Sequence, residues 1–372
     1  MNFDFSDEQK QMRDEARKFL AEKCPPKAVR AVLDGNATHD KDLWKGLAGM
    51  GFLGVAIPEE FGGAGAGHLE LCVIAEEMGR ALAPVPFSST VYLAAEAILL
   101  AGSAAQKKKW LPAIASGEAI GTLALFEGKG NPSPEAIKLT ASGGSLNGVK
   151  KPVPDGAIAD FAVVAARTGS TGRDSDISLF LVDLKAGGVE AKALTNLDPS
   201  RGQAELTFRN CKAEPLGAAG EGWSVVTRVL DRAAVLMAFE QVGGADRALE
   251  MGRDYALDRI AFGRPIGSFQ ALQHRAARLY ARLELARGVV IAALRAIDEQ
   301  AGDATWLASL AKSVTTKLAR ELLAEAVQMH GGIGVTDAFD IGLFVKRGQC
   351  AGDLLGDDRF HTERLTRDYW QL

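Results

Sequence analysis

The sequence predicts an α+β fold that is mostly helical: an N-terminal helical domain, a middle domain built on an antiparallel β sheet, and a C-terminal bundle of long helices. Three observations predict it. Apolar residues recur at helical spacing through the first third of the chain. From Gly121 the pattern shortens to β-rich runs separated by turn residues, and beyond Gly220 long helical stripes return and persist. Domains are therefore expected at 1–119, 120–217 and 218–372, because a chain of 372 residues exceeds the usual size of one core.

The elements follow in order. Ser6-x-x-Gln9 is a capping box, and Met12, Ala16, Phe19 and Leu20 then repeat on one helical face. Further helices are expected over Asp40–Met50, His68–Leu82, Thr90–Gly102 and Ala105–Ala115, interrupted by Pro84 and Pro86. Gly62-Gly-Ala-Gly-Ala-Gly67 does not fit Gly-x-Gly-x-x-Gly in register and follows no strand, so it reads as a loop. Strands are expected over Thr122–Phe126, Ile137–Leu139, Phe161–Ala166, Ile177–Leu184, Val189–Ala193 and Ala204–Arg209, with Ser142-Gly-Gly-Ser as a hairpin tip. The last part carries stripes from Val225, over Ala271–Gln300 and over Leu307–Met329, of the length that bundles use.

Composition narrows the function. A 47% hydrophobic and 24% charged chain with net charge −4 is an ordinary globular protein and not a general nucleic-acid binder. Lys107-Lys-Lys109 reads as a solvated run. Cys24, Cys72, Cys211 and Cys350 lack metal or redox spacing and fit reduced thiols. The acidic N-terminus lacks a signal peptide's basic region, and the uncharged run Ala81–Ala95 contains two prolines and is too short to span a bilayer. A cytoplasmic protein with neither membrane nor nucleic-acid partner is expected. P-loop, His-Glu-x-x-His, Cys-x-x-Cys and Gly-x-Ser-x-Gly motifs are missing, and no metal site is expected.

Two stretches point to chemistry. Gln328-Met-His-Gly-Gly-Ile-Gly-Val-Thr336 closes a long helical pattern with a double glycine, which ends a helix and leaves bare backbone that a phosphate can approach. Tyr255-Ala-Leu-Asp-Arg-Ile-Ala-Phe-Gly263 and the residues to Gln273 join two helices through a Gly/Pro turn, placing an arginine, an aromatic ring and amides close together. His330, beside the double glycine, reads as a helix-end histidine bonded to backbone.

Together these stretches resemble the acyl-CoA dehydrogenase family, as do Pro58-Glu-Glu-Phe-Gly-Gly63 and Glu76-Glu-Met-Gly-Arg80, and the resemblance spans essentially the whole chain. It implies α,β-dehydrogenation of an acyl-CoA thioester with FAD as cofactor and an electron-transfer flavoprotein as acceptor. It also implies a homo- or hetero-oligomer, dimer or tetramer, with the flavin at the subunit interface. By the same resemblance Arg259, Phe262, Gln270, Gln328, Gly331 and Gly332 hold the adenine and pyrophosphate end of a flavin that belongs largely to the neighbouring subunit.

The chain departs from the family where chemistry is done. A carboxylate must take the α-proton, and its pKa has to be raised by a dry site. The two positions where relatives carry it fall on Leu355 and Ala233; the candidate that remains is Glu240, seven residues past Ala233 and on the same helical face. Asp353, Asp357, Asp358 and Asp231 are the other acids nearby. Where relatives place a Trp-Ile-Thr type segment against the flavin ring, this chain has Lys151-Pro-Val-Pro-Asp155, and the preceding loop reads Phe126-Glu-Gly-Lys-Gly130 without its hydroxyl. The expected branch is the one in which two different subunits act together on bulky or carboxylated acyl-CoAs. The alternatives are a non-catalytic complementing subunit, and a flavin monooxygenase or oxidase of the same fold.

Overall fold

A computed structural model describes residues 5–35 and 37–370. The first four residues, part of the acidic start noted above, lie outside the described residues. In chain order the helices are α1 (Asp7–Lys23), α2 (Pro26–Leu33), α3 (Lys41–Gly49), α4 (His68–Ala81), α5 (Glu96–Ala101), α6 (Ala104–Ala115), α7 (Gly222–Asp258), α8 (Gln270–Asp298), α9 (Ala304–His330), α10 (Ile341–Asp353) and α11 (Asp358–Trp370). The strands are β1 (Gly121–Ala124), β2 (Thr140–Ser142), β3 (Ser145–Pro154), β4 (Phe161–Arg167), β5 (Ile177–Asp183), β6 (Val189–Leu194), β7 (Gln203–Lys212), β8 (Glu214–Leu216), β9 (Ile260–Ala261) and β10 (Arg264–Pro265). They gather into two compact units, one of residues to Val29, Cys72–Ala83 and Ala234 onward, the other of Arg30–Leu71 and Pro84–Ala233.

Local signals set the helix starts. Ser6 and Gln9 exchange bonds as a capping box at α1, Ser103 and Gln106 do the same at α6, and the Asp40 carboxylate accepts from the Leu43 N–H at α3. The helix expected from Thr90 begins instead at Ser88 as a π-helical segment over Ser88–Ala95, buried throughout, and becomes α-helical at Glu96. Pro86 lies just before this turn, and the Ser89 hydroxyl donates back to its carbonyl. The glycine-rich stretch from Gly62 is a loop. Within it Gly63 is forced: a Cβ there would meet the Ile57 carbonyl oxygen at 2.0 Å.

In the second unit the sheet runs β6-β7-β3-β2-β4-β5-β8, with β1 beside β4. Its pairs are antiparallel except that β1 runs parallel to β4 and β2 touches β4 in parallel at Thr140 and Arg167. Leu146, Val153, Val164, Val182, Leu206 and Phe208 form its buried core. Ser142-Gly-Gly-Ser is the β2–β3 hairpin tip. Two strand readings shift. Ile137–Leu139 is not a strand, because the Glu127 carboxylate takes the N–H groups of Lys138 and Leu139, and pairing starts at Thr140. Ser145–Pro154 is a strand despite two prolines; Pro152 falls where the register with β7 slips between Lys150 and Val153, so it removes no ladder bond.

In the other unit α9 is the central helix, packed by α8, α10 and α11 and buried along Ala308, Ala311, Leu318, Leu322 and Ala326. α4 and α7 cross backbone to backbone: a Cβ on Gly79 would meet the Glu240 carbonyl oxygen at 2.0 Å, and one on Gly243 the Glu76 carbonyl oxygen at 1.9 Å. No helix among the described residues is long and apolar enough to cross a membrane.

Candidate functional site

The candidate cofactor site is built where α7 and α9 end. After Asp258 the chain turns through the β9–β10 hairpin, closed by the Ile266 N–H donating to the Arg259 carbonyl at 2.8 Å. The tip residues Phe262 and Gly263 both have positive φ, 54° and 79°, as a two-residue hairpin turn of this hand requires. That turn presents the Phe262 ring to solvent at 95% exposure, edge-on to Phe269, whose face carries the Arg264 guanidinium at 4.2 Å. Arg259 and Gln270 are exposed on either side.

α9 closes at Gly331 with φ 62°, its N–H turned back to the Val327 and Gln328 carbonyls. An added Cβ on Gly331 or Gly332 would meet nothing within 4 Å, so this backbone faces open space. The two helix ends belong together. Tyr255, one turn before Arg259, stacks on His330 at 4.7 Å, and Phe339 packs on His330 at the same separation. The His330 Nδ1 bonds the Ala326 carbonyl at 2.7 Å, the helix-end role expected for it. Hence Arg259, Phe262, Gln270, Gln328, Gly331 and Gly332, scattered in sequence, lie at one end of this unit. Leu257, Ile260, Ile333 and Val335 are exposed apolar side chains on the same segments.

This end has the chemistry to hold the adenine and diphosphate of FAD: open glycine backbone, an arginine, two amides and an accessible ring. The sheet residues do not fit the ring end. Pro152 and Pro154 offer no N–H, and Phe126 no hydroxyl. Glu127 is already engaged: Lys150, fully buried, donates to it at 2.7 Å and to the Leu125 carbonyl at 3.1 Å, while the Lys138 and Leu139 N–H groups fill the other side. Burial pushes the Lys150 amine down to about 8 against the pull of Glu127.

Neither family base position can accept a proton. Leu355 is buried with φ 65°, and Ala233 is fully buried. The neighbouring acids are tied: Asp353 pairs with Arg320 at 2.7 Å, Asp357 accepts the Phe360 N–H at 2.8 Å, and Asp358 accepts from Ser313 at 2.9 Å and lies 3.3 Å from Lys317. Glu240 is buried and, with Gln241 and Arg347, lines a cavity of about 20 Å³. That is room for a single water. Among the described residues no His, Cys, Asp and Glu cluster could hold a metal.

Sequence reasoning missed three buried charge systems. Glu76 pairs with Arg287, Glu77 takes a two-pronged bond from Arg17 at 2.7 and 3.0 Å, and Arg80 reaches Asp246 at 3.1 Å and Glu250. The motif Glu76-Glu-Met-Gly-Arg80 thus ties α4 to its neighbours: Glu76 meets α8, Glu77 meets α1, and Gly79 and Arg80 meet α7. In the other unit Glu96 is held by His68 at 2.9 Å and by Arg232; burial would raise its carboxyl, and these two partners hold it below the usual range. The third is Lys312, fully buried, whose Nζ donates to the Ala351 and Gly352 carbonyls at 2.8 and 2.9 Å. A lysine inside the apolar stripe Leu307–Met329 was its only signal.

Comparison with known proteins follows the same lines. The family model for the acyl-CoA dehydrogenase N-terminal domain matches residues 6–118, and that for the C-terminal domain matches residues 220–369. The chain is 34% identical over 367 residues to the acyl-CoA dehydrogenase IpdE2 of Mycobacterium tuberculosis, covering 98% of each. Among solved structures it resembles a variant of the steroid ACAD Tcur3481–Tcur3483, with TM-score 0.88, 32% identity and 98% of both chains covered. It also resembles the ChsE4–ChsE5 complex of M. tuberculosis, with TM-score 0.88, 26% identity and full coverage of both chains. The chain belongs to the acyl-CoA dehydrogenase family, FAD-dependent oxidoreductases that act on the CH–CH group of acyl thioesters.

Proposed function

We propose that this chain acts in the α,β-dehydrogenation of an acyl-CoA as the subunit that completes a partner's flavin site, with no turnover of its own. One observation carries the reading: residues suited to the adenine end are present and exposed together, while both base positions and the ring-side segment are replaced by side chains that cannot serve. Arg259, Gln328 and the Gly331–Gly332 backbone would hold the diphosphate, and Phe262 and Gln270 the adenine side. FAD, when bound, supplies the hydride acceptor. The α-proton then goes to a carboxylate of the partner, and Glu240, beside a cavity too small for a thioester, keeps a structural part. The exposed apolar surface around Phe262 is the face a partner covers.

Two of the similar structures pair two named proteins, and one is a steroid ACAD, which favours a hetero-oligomer acting on a bulky acyl-CoA; the family resemblance adds an electron-transfer flavoprotein as acceptor. Cys24, Cys72, Cys211 and Cys350 form no disulfide, which suits the cytoplasm. The reading keeps 1–119, 120–217 and 218–372 as the family's three domains.

Co-expression with a sister acyl-CoA dehydrogenase subunit tests this. A yellow complex bleached anaerobically by acyl-CoA is expected, and Arg259→Gln in this chain should strip flavin from it. If Arg259→Gln leaves the complex's flavin content unchanged, the assignment of this end fails.

A further inference from the structure

A second cavity, of about 480 Å³, lies wholly within the unit that contains α9, and none of the flavin-site residues named above lines it. It is walled by the last turns of α1, the Cys24–Val29 segment, the end of α4, α7 around Arg247 and the start of α10. Its volume falls in the range of small-ligand pockets, roughly 300–1,000 Å³. The proposed flavin chemistry uses none of it.

The charges around it are unevenly spent. Arg17, Arg80 and Arg247 line it against Glu77 and Asp340. Glu77 is buried with both oxygens on Arg17, and Arg80 uses both terminal nitrogens on Asp246 and Glu250, which stand behind it. Asp340 has a partner of its own. Arg17 bonds through Nε and Nη2, and Arg247 through one nitrogen to Glu250 at 3.1 Å; both are about two-fifths exposed, so donors remain on these two arginines while the lining acids are occupied. The rest of the wall is apolar, from Leu20, Val29, Met251 and Phe344. Open guanidinium donors beside an apolar wall match an anion carried on a hydrocarbon body.

We propose that this pocket binds a small amphipathic carboxylate, with its anion on Arg17 and Arg247 and its hydrocarbon against Leu20, Val29, Met251 and Phe344. The site is separate from the flavin reading and stands if that reading fails.

Calorimetric titration of the full chain with octanoate, 1-octanol and octylamine tests it. Octanoate should bind and octylamine should not. Arg247→Gln should weaken octanoate about tenfold, the scale of one charge-assisted hydrogen bond. Ala21→Trp, at an exposed position of the pocket wall one helical turn after Arg17, should abolish binding by filling the space in front of it. Octanol or octylamine binding as tightly as octanoate would overturn the anion assignment. Absence of octanoate binding, or octanoate binding unchanged in both variants, would overturn the site.

Discussion

Lys312 offers the sharpest stability prediction. Its amine is fully buried, donates to the carbonyls of Ala351 and Gly352 at the end of α10, and lies 3.3 Å from the Thr316 hydroxyl. Burial pushes its pKa from 10.5 down to about 7, against the nearby charges of Asp353, Asp357 and Asp358 and with the help of Arg320. Between those values the unfolded chain holds the proton and the folded chain does not. The sign follows: stability gained from this group rises as pH climbs from 7 towards 10.5 and is flat below 7. Each pH unit is worth about 1.4 kcal/mol, so the native state gains about 2–3 kcal/mol from pH 7 to pH 9. Lys312→Met removes that gain and leaves two buried carbonyls without donors, at a loss of about 1–3 kcal/mol each. Urea unfolding of both proteins at pH 7, 8 and 9 reads the difference. The gap between wild type and Lys312→Met should widen by about 2–3 kcal/mol across that range; a gap constant with pH would refute the reasoning.

Three further outcomes are expected. Gly243→Ala, whose Cβ would stand 1.9 Å from the Glu76 carbonyl oxygen, should destabilise by about 1–3 kcal/mol although helix propensity alone favours alanine by about 1; a raised urea midpoint would contradict the close crossing. His361 is pushed down to about 3 by burial and then by Lys312 and Arg364, so it folds neutral and its contribution is lost as pH falls below 6.5; His361→Gln should flatten the thermal midpoint between pH 6.5 and 4, and an unchanged acid limb would count against it. Leu355→Glu in this chain alone should yield no acyl-CoA dehydrogenation, because the ring-side segment is still missing; flavin bleaching by that variant would show the ring side to be competent.

What could be read from the residues is what depends on near neighbours. Capping boxes and the Ser142–Ser145 tip are set by groups within three residues, so Ser6, Gln9 and the paired glycines declare themselves. The π-helical turn at Ser88 and the strand Ser145–Pro154 depend on packing and on a register slip that no local pattern encodes. The residues proposed here for the adenine end stand out individually in the sequence. That they share one end of a unit depends on Tyr255, His330 and Phe339 stacking across three separate segments. Arg80 pairs with Asp246 and Glu250 because α4 and α7 cross at Gly79 and Gly243, while Glu76 with Arg287 and Glu77 with Arg17 depend on α8 and α1 reaching α4 across long sequence separations.

The claim that this chain lends half a flavin site is tested most directly by purifying it alone, measuring bound FAD per chain by absorbance, and adding acyl-CoA without oxygen. The account predicts well under one flavin per chain and no bleaching. One tightly bound flavin per chain, reduced by acyl-CoA, would contradict it.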